Sequence, residues 1–229
     1  MEKIAAILIA VHMVGDFILQ PDWLVKCKTN FPYILLHAAI HGTLAYLALQ
    51  AWRCWQIPVL VLAIHATIDW LKQCSKRDTV MAFMFDQVGH ILGLLLLAWI
   101  LAHRPYLPAF GGRGFTAIVV AGGFTATVFG SGFLIAKFAK RLVEENGLKL
   151  DGLLNGGKLI GQLERALIFL FIFIGQPTGI GFLVAAKSIL RFEEAKKQKL
   201  AEYVLIGTLL SFSLAVALSS ATKWALTLK

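Results

Sequence analysis

An all-α polytopic transmembrane helix bundle of seven or eight spans is the fold class that three observations predict. Hydrophobic residues make up 58% of the 229-residue chain, and its mean hydropathy of +0.74 is too high for a soluble domain. The apolar residues fall in runs long enough to cross a bilayer. Inside the first four runs, polar residues recur in pairs four apart: His12/Asp16, His37/His41, His65/Asp69 and Asp86/His90. On a helix each pair shares one face, with about 6 Å of axial rise between its members.

The spans are expected near residues 3–19, 32–50, 56–71, 81–102, 115–136, 159–174 and 201–221. The N-terminal stretch 1–20, which holds the first, contains one Lys and one Glu, no A-x-A site, and His12 with Asp16, so it reads as a retained helix rather than a cleaved signal. The second, third and fourth carry the other three polar pairs. The fifth holds Gly122, Gly123, Gly130, Ser131 and Gly132, small residues that allow close helix packing in lipid. The stretch 137–158 is polar, basic at its start and Gly-rich at its end, and reads as a connector with a short interfacial helix. Its Gly156-Gly157-Lys158 lacks phosphate-loop spacing. After Gly175-Gln176-Pro177, an apolar piece at 177–190 either crosses, giving eight spans, or re-enters from one side. Residues 1–103 then form a four-helix site bundle. Residues 104–229 supply C-terminal helices packed on it in one membrane unit.

Charge orients the spans. With the N-terminus outside, the cytoplasmic loops hold Lys26, Lys28, Lys72, Lys76, Arg77, Lys137, Lys140, Arg141, Lys149, Lys158, Lys187, Arg191, Lys196, Lys197 and Lys199. The outer side keeps Lys3, Arg53, Arg104, Arg113, Lys223 and Lys229, which leaves only Arg165 inside a span. This positive-inside bias accounts for the net charge of +9 without nucleic acid as a partner. Cys27, Cys54 and Cys74 have no C-x-x-C spacing and indicate neither a disulfide framework nor a zinc knuckle.

The orientation puts the eight paired residues at a common depth. Asp16, His37, Asp69 and Asp86 form a layer nearer the cytoplasm, and His12, His41, His65 and His90 lie one turn deeper. An internal echo accompanies it. His12 to Gln20 and His65 to Gln73 share the pattern H-x-x-x-D-aromatic-aliphatic-x-Q. His37/His41 and Asp86/His90 occupy equivalent places in the helices that follow. The pattern suggests a parallel repeat of two helical hairpins about an axis along the membrane normal.

Ionisable groups in a bilayer cost at least a few kcal/mol each, so they pair, line water or hold ions. Eight of them in two layers point to metal more than to a hydrogen-bonded network. Mixed imidazole and carboxylate donors suit zinc best, with manganese or iron as alternatives, as one ion or two. His12, His41, His65 and His90 are the candidate ligands, with Asp16, His37, Asp69 and Asp86 as further ligands. Asp16 or Asp86, if spared from coordination, would be the general base. Diiron bundles use Glu and Glu-x-x-His, and these four helices contain no Glu beyond Glu2, which argues against oxygenase chemistry.

The second half carries Glu164, Arg165, Lys187, Arg191, Glu202 and Tyr203 near the cytoplasmic face. Lys187 and Glu202 read as ion-paired residues reaching for the interface. Arg165, Lys187 and Arg191 are the candidate binders of an anionic substrate group such as a phosphate.

His12-x-x-x-Asp16-Phe17-x-x-Gln20, followed by Trp23 and Lys26, resembles the opening of the bacterial membrane proteins of the domain-of-unknown-function 3307 family. Ile160-Gly161-Gln162-Leu163-Glu164-Arg165, Ala186-Lys187-Ser188 with Arg191-Phe192, and Glu202-Tyr203 with Gly207-Thr208 are similar to its C-terminal half. The resemblance implies a bacterial inner-membrane protein, with both polar sets in one functional unit, and implies no activity.

The expected function is a metal-dependent intramembrane hydrolase, acting from the cytoplasmic side on a lipid or an amphipathic, phosphorylated small molecule. A metal-ion or proton transporter or channel using the same cluster is the first alternative. The apolar stretches Leu44 to Ala51 and Leu94 to Leu101 favour a one-sided pocket over a through route. A haem protein with axial imidazoles and a structural partner subunit are the others.

Overall fold

The computed structural model describes residues 1–75, 78–103, 111–148, 155–190 and 198–228, and every regular element among them is helical. The helices are α1 (Glu2–Phe17), α2 (Asp22–Cys27), α3 (Phe31–Leu49), α4 (Gln56–Ser75), α5 (Val80–Ala102), α6 (Gly112–Thr125), α7 (Ser131–Asn146), α8 (Gly156–Phe173), α9 (Thr178–Leu190) and α10 (Gln198–Ala225). A π-helical turn, Ala126–Gly130, joins α6 to α7.

The punctuation is local chemistry. α1 stops ahead of Pro21, which opens the short α2, since proline has no N–H to extend the first helix but fits the start of the next. α3 has Pro32 in its first turn and closes at Gln50, in the left-handed conformation at φ 48°. Thr79 caps α5 by accepting from the Ala82 amide at 3.1 Å.

Five helices among the described residues are long and apolar enough to cross a membrane: α3, α4, α5, the continuous run Gly112–Asn146, and α10. The other expected spans are helical but differ in kind. α1 has 16 residues, α8 carries Lys158, Glu164 and Arg165, and α9 has 13 residues, about 20 Å against a hydrocarbon core of about 30 Å. The stretch 137–158 is not a connector throughout. Helix continues to Asn146, with Lys140–Glu144 and Arg141–Glu145 facing each other at 3.8 and 2.7 Å, the i,i+4 geometry that supports an exposed helix. Gly147, at φ +62°, then ends it. Residues 149–154 lie outside the described set.

The chain divides into two compact units: Met1–Thr125 with Trp224–Lys229, and Ala126–Lys223. In the first, α1, α3, α4 and α5 close a ring, each packed on its two neighbours, and α6 packs on α1. The α1–α6 approach depends on Gly122, where an added Cβ would fall 2.4 Å from the Cα of Ala10, so a small-residue packing role is met there. The core of this unit collects at one end of the ring. Ile7, Leu8, Leu49, Ile57 and Leu97 are all under 2% exposed, and they come from the start of α1, the end of α3, the start of α4 and the end of α5. The polar pairs sit toward the other end.

The second unit has a smaller core of Ile168, Phe212 and Ala215. Its organising feature is polar. Arg165, buried at 4% exposure, donates from Nε and Nη2 to the Val128 carbonyl at 3.1 and 2.7 Å, and from Nη1 to Ser211 Oγ at 3.3 Å. Val128 lies in the π turn, whose wider hydrogen-bond spacing leaves a carbonyl for an outside donor. Gly132 and Gly161 make room, since a Cβ on either would meet the guanidinium at 2.7 and 2.9 Å.

Candidate metal centre

Each helix of the ring contributes one pair, and the i,i+4 spacing turns all eight side chains to its axis. His12, His37, His41, His65, Asp69, Asp86 and His90 are 0–6% exposed, and the Asp16 side chain is 10% exposed. The five imidazoles form one cluster. His41 and His65 stack at 3.7 Å between centroids, His65 and His90 lie at 4.2 Å, and His12 and His90 at 4.9 Å. His37 touches His41 and His65 at 4.6 and 4.8 Å.

Asp16 is the pivot. Its Oδ1 lies 3.1 Å from His37 Nε2, 3.2 Å from His41 Nε2 and 3.6 Å from His65 Nε2. Its Oδ2 is 3.6 Å from His12 Nε2 and accepts from Gln87 Nε2 at 3.0 Å. His37 and His41 also face each other through their Nε2 atoms at 3.2 Å. A tetrahedral zinc shell with arms of 2.0–2.1 Å has edges of about 3.3–3.4 Å, so these separations have the dimensions of a ligand shell. One ligand atom from each of His12, Asp16, His41 and His65 lies within 4.8 Å of the others. The same holds for the smaller sets His37/His65/Asp69 and Asp69/Asp86/His90.

Several buried nitrogen atoms of this cluster have no hydrogen-bond partner among the described residues: both nitrogens of His12, Nδ1 of His37, and Nε2 of His65 and His90. A buried, unsatisfied polar atom costs about 1–3 kcal/mol, and five in one place is more than a packing network tolerates. A cation bound by imidazole nitrogen satisfies the Nε2 atoms at once. His90 is set up for that role, because its Nδ1 sits 2.9 Å from the Asp86 carbonyl, which orients the ring with Nε2 inward.

Two lysines complete the site. Lys28, 6% exposed, follows α2 and donates to Asp69 Oδ2 at 2.7 Å. Lys72, one turn beyond Asp69 on α4, donates to Asp86 Oδ2 at 2.7 Å. Gln20 links Lys28 to α1: with its amide turned so that Oε1 accepts from Lys28 Nζ at 2.6 Å, its nitrogen donates to the Asp16 carbonyl at 3.2 Å. Read from sequence, both lysines counted only as loop charge, and Gln87 did not register. The available signal was spacing, for Gln20 is i+4 from Asp16, and Lys72 is i+7 from His65.

The structure also places the other predicted site residues. Arg165 spends its guanidinium on Val128 and Ser211, and Lys187 donates to Glu164 Oε2 at 2.7 Å; both lie in the second unit. Arg191 lies outside the described residues. His103 is exposed and bonded to the Trp99 carbonyl.

Gly15 is part of the centre's geometry. An added Cβ there would lie 2.3–2.8 Å from three ring atoms of His41. Gly15→Ala is therefore expected to weaken zinc binding by about 10–100-fold, the range seen when a ligand loses its support. Alanine favours helix over glycine by about 1 kcal/mol, so the helical content by circular dichroism is expected to hold. Zinc affinity unchanged in this variant would contradict the placement of His41.

Residues 4–106, somewhat under half of the chain, match the family model described as Protein of unknown function (DUF3307), so this segment is similar to that family. The match takes in all eight paired residues with Lys28 and Lys72, and stops short of Arg165 and Lys187. No curated protein and no solved structure matches the chain.

Proposed function

We propose that this chain, similar to the DUF3307 family over residues 4–106, is a membrane protein that binds a divalent cation, zinc by preference with manganese or iron as alternatives. In this reading it uses the ion as an intramembrane hydrolase. The observation that carries the proposal is the convergence of unsatisfied imidazole nitrogens and one carboxylate, at ligand-shell distances, inside a ring of apolar helices. Bound there, the ion would lower the pKa of a coordinated water. His12, His41, His65 and Asp16 are the nearest ligand set, with His37 against Asp16. Asp86 is the candidate base, held by Lys72 through Oδ2 with Oδ1 unpartnered.

The membrane placement draws on exposed tryptophans at both ends of the first unit. Trp23 and Trp70 lie toward the aspartate end, and Trp52, Trp55 and Trp99 toward the other, where interfacial aromatics belong. Together with the positive-inside count, this supports an inner-membrane protein with its N-terminus outside and the aspartate layer toward the cytoplasm. The ring of α1, α3, α4 and α5 is also what two hairpins in parallel repeat would build, and seven or eight crossings remain our reading of the whole chain.

The plug argues for hydrolysis over transport. Leu8, Val61, Leu94 and their neighbours lie directly beyond the histidines, around a small cavity that His12, His41, His65 and His90 also line, and the aliphatic core fills the ring from there on. Among the described residues, the core that fills the ring beyond the histidines offers an ion only apolar side chains. Ring centroids 3.7–5.4 Å apart leave no slot for a porphyrin, which argues against haem.

The test is reconstitution of zinc-loaded protein into vesicles of mixed bacterial phospholipids with an entrapped zinc dye. Release of lipid fragments by mass spectrometry, with no dye response, is the expected result. Zinc-dependent dye response without lipid cleavage would transfer the assignment to transport.

A further inference from the structure

Resting on the metal-site reading, we infer that Lys28 and Lys72 stand in for a second metal ion and restrict the centre to one. The ring offers a second cation position. Ligand atoms of Asp69, Asp86 and His90 lie within 4.8 Å of one another. Asp86, 6% exposed, has an Oδ1 without a hydrogen-bond partner, 3.7 Å from Nδ1 of His90, itself 1% exposed. One oxygen of each carboxylate is engaged by an ammonium group: Asp69 Oδ2 by Lys28 Nζ and Asp86 Oδ2 by Lys72 Nζ, each at 2.7 Å.

Charge decides between one ion and two. With the imidazoles neutral, three carboxylates and two ammonium groups leave the empty centre one negative charge. One divalent ion brings it to a single positive charge, which a bound hydroxide or a substrate monoanion cancels. A second ion would raise it to three in a low-dielectric interior, where like charges a few ångströms apart are strongly repelled. Without the lysines the balance inverts, because one ion leaves a negative charge and two leave a single positive one. The lysines therefore set the stoichiometry. An ammonium fits this duty because it is a compact point charge with three donors. Lys28 is held in place by Gln20 and by burial after α2.

The measurement is zinc per chain, by elemental mass spectrometry on the full-length protein in detergent after zinc excess and desalting. The expected values are one equivalent for the wild type, two for Lys28→Gln/Lys72→Gln, and one for Lys28→Arg/Lys72→Arg. Two equivalents in the wild type, or one in the glutamine double variant, would overturn the inference. Should the double variant fail to fold, Lys72→Glu alone carries the test, since the Lys72 side chain is 39% exposed. It leaves the centre with the same three negative charges as the glutamine double variant and is expected to hold two equivalents, and one equivalent there would overturn the inference too. A wild type that takes up no zinc overturns the metal-site reading itself, an outcome separate from either.

Discussion

Replacing Asp16 with asparagine is expected to strip the protein of its metal while leaving the bundle folded. Asp16 is the one carboxylate of the three not engaged by a lysine, and its Oδ1 lies 3.1–3.6 Å from three imidazole nitrogens. The amide matches the carboxylate in shape but removes the only carboxylate of the His12/Asp16/His41/His65 set. It also presents N–H donors, or a neutral oxygen, to nitrogens that must stay free as ligands. The loss should exceed the roughly 10–100-fold that follows removal of a supporting partner, so we expect at least about 100-fold weaker zinc binding. Asp69→Asn is the contrast. Its Oδ2 is taken by Lys28 and lies 3.6 Å from His65, so a supporting-partner effect within that range is expected. Titration with a competing zinc chelator separates the two, and equal losses would show that Asp16 has no special place.

The second large effect is on stability and lies in the other unit. Arg165→Ala removes three hydrogen bonds from a charged donor and leaves the Val128 carbonyl buried beside a void. Hydrogen bonds to charged groups contribute about 1.5–3 kcal/mol each, and the orphaned carbonyl costs a further ~1–3 kcal/mol. Since such terms overlap, we expect a net loss of about 3 kcal/mol, read as a lowered thermal midpoint in detergent. Arg165→Lys should recover only part, because an ammonium cannot donate through two coplanar nitrogens to one carbonyl. Zinc content of the folded fraction is expected to stay at the wild-type level in both. An Arg165→Ala protein with unchanged midpoint but lost activity would instead return the residue to the anion-binding role that its sequence position suggested.

These two residues also mark what the sequence makes legible. Asp16 was readable because helical periodicity is a strong signal: a polar pair at i,i+4 in an apolar run has one face to share. Four such pairs in consecutive helices have one interior to share. The partner of Arg165 was not readable. It is a main-chain carbonyl released by a π turn, and Ala126–Gly130 has no side-chain signature that separates it from ordinary helix. Lys28 was hidden for a related reason. It reaches Asp69 from the end of a six-residue helix, too short for periodicity, so it looked like loop charge. Lys72 lay on the same face as His65 and Asp69, and the spacing was there to be read. Helix α7 runs unbroken past residue 136 to Asn146, where the polar composition reads as a connector with a separate short interfacial helix; the i,i+4 pair Arg141/Glu145 is the signal for its continuation. The membrane-length helices came through clearly where they are uniformly apolar, and less so in α8, where charges interrupt the run.

The central claim is that the histidines hold a metal, and the most direct test is elemental mass spectrometry of the purified protein beside a His41→Ala/His90→Ala variant. His41 and His90 are 2% and 1% exposed and come from different helices, so their joint loss dismantles the centre from two sides. The account predicts zinc, manganese or iron bound stoichiometrically in the wild type and absent from the folded variant. A folded wild type that remains metal-free after zinc is supplied would contradict it, and the eight residues would then be a proton path or a packing network.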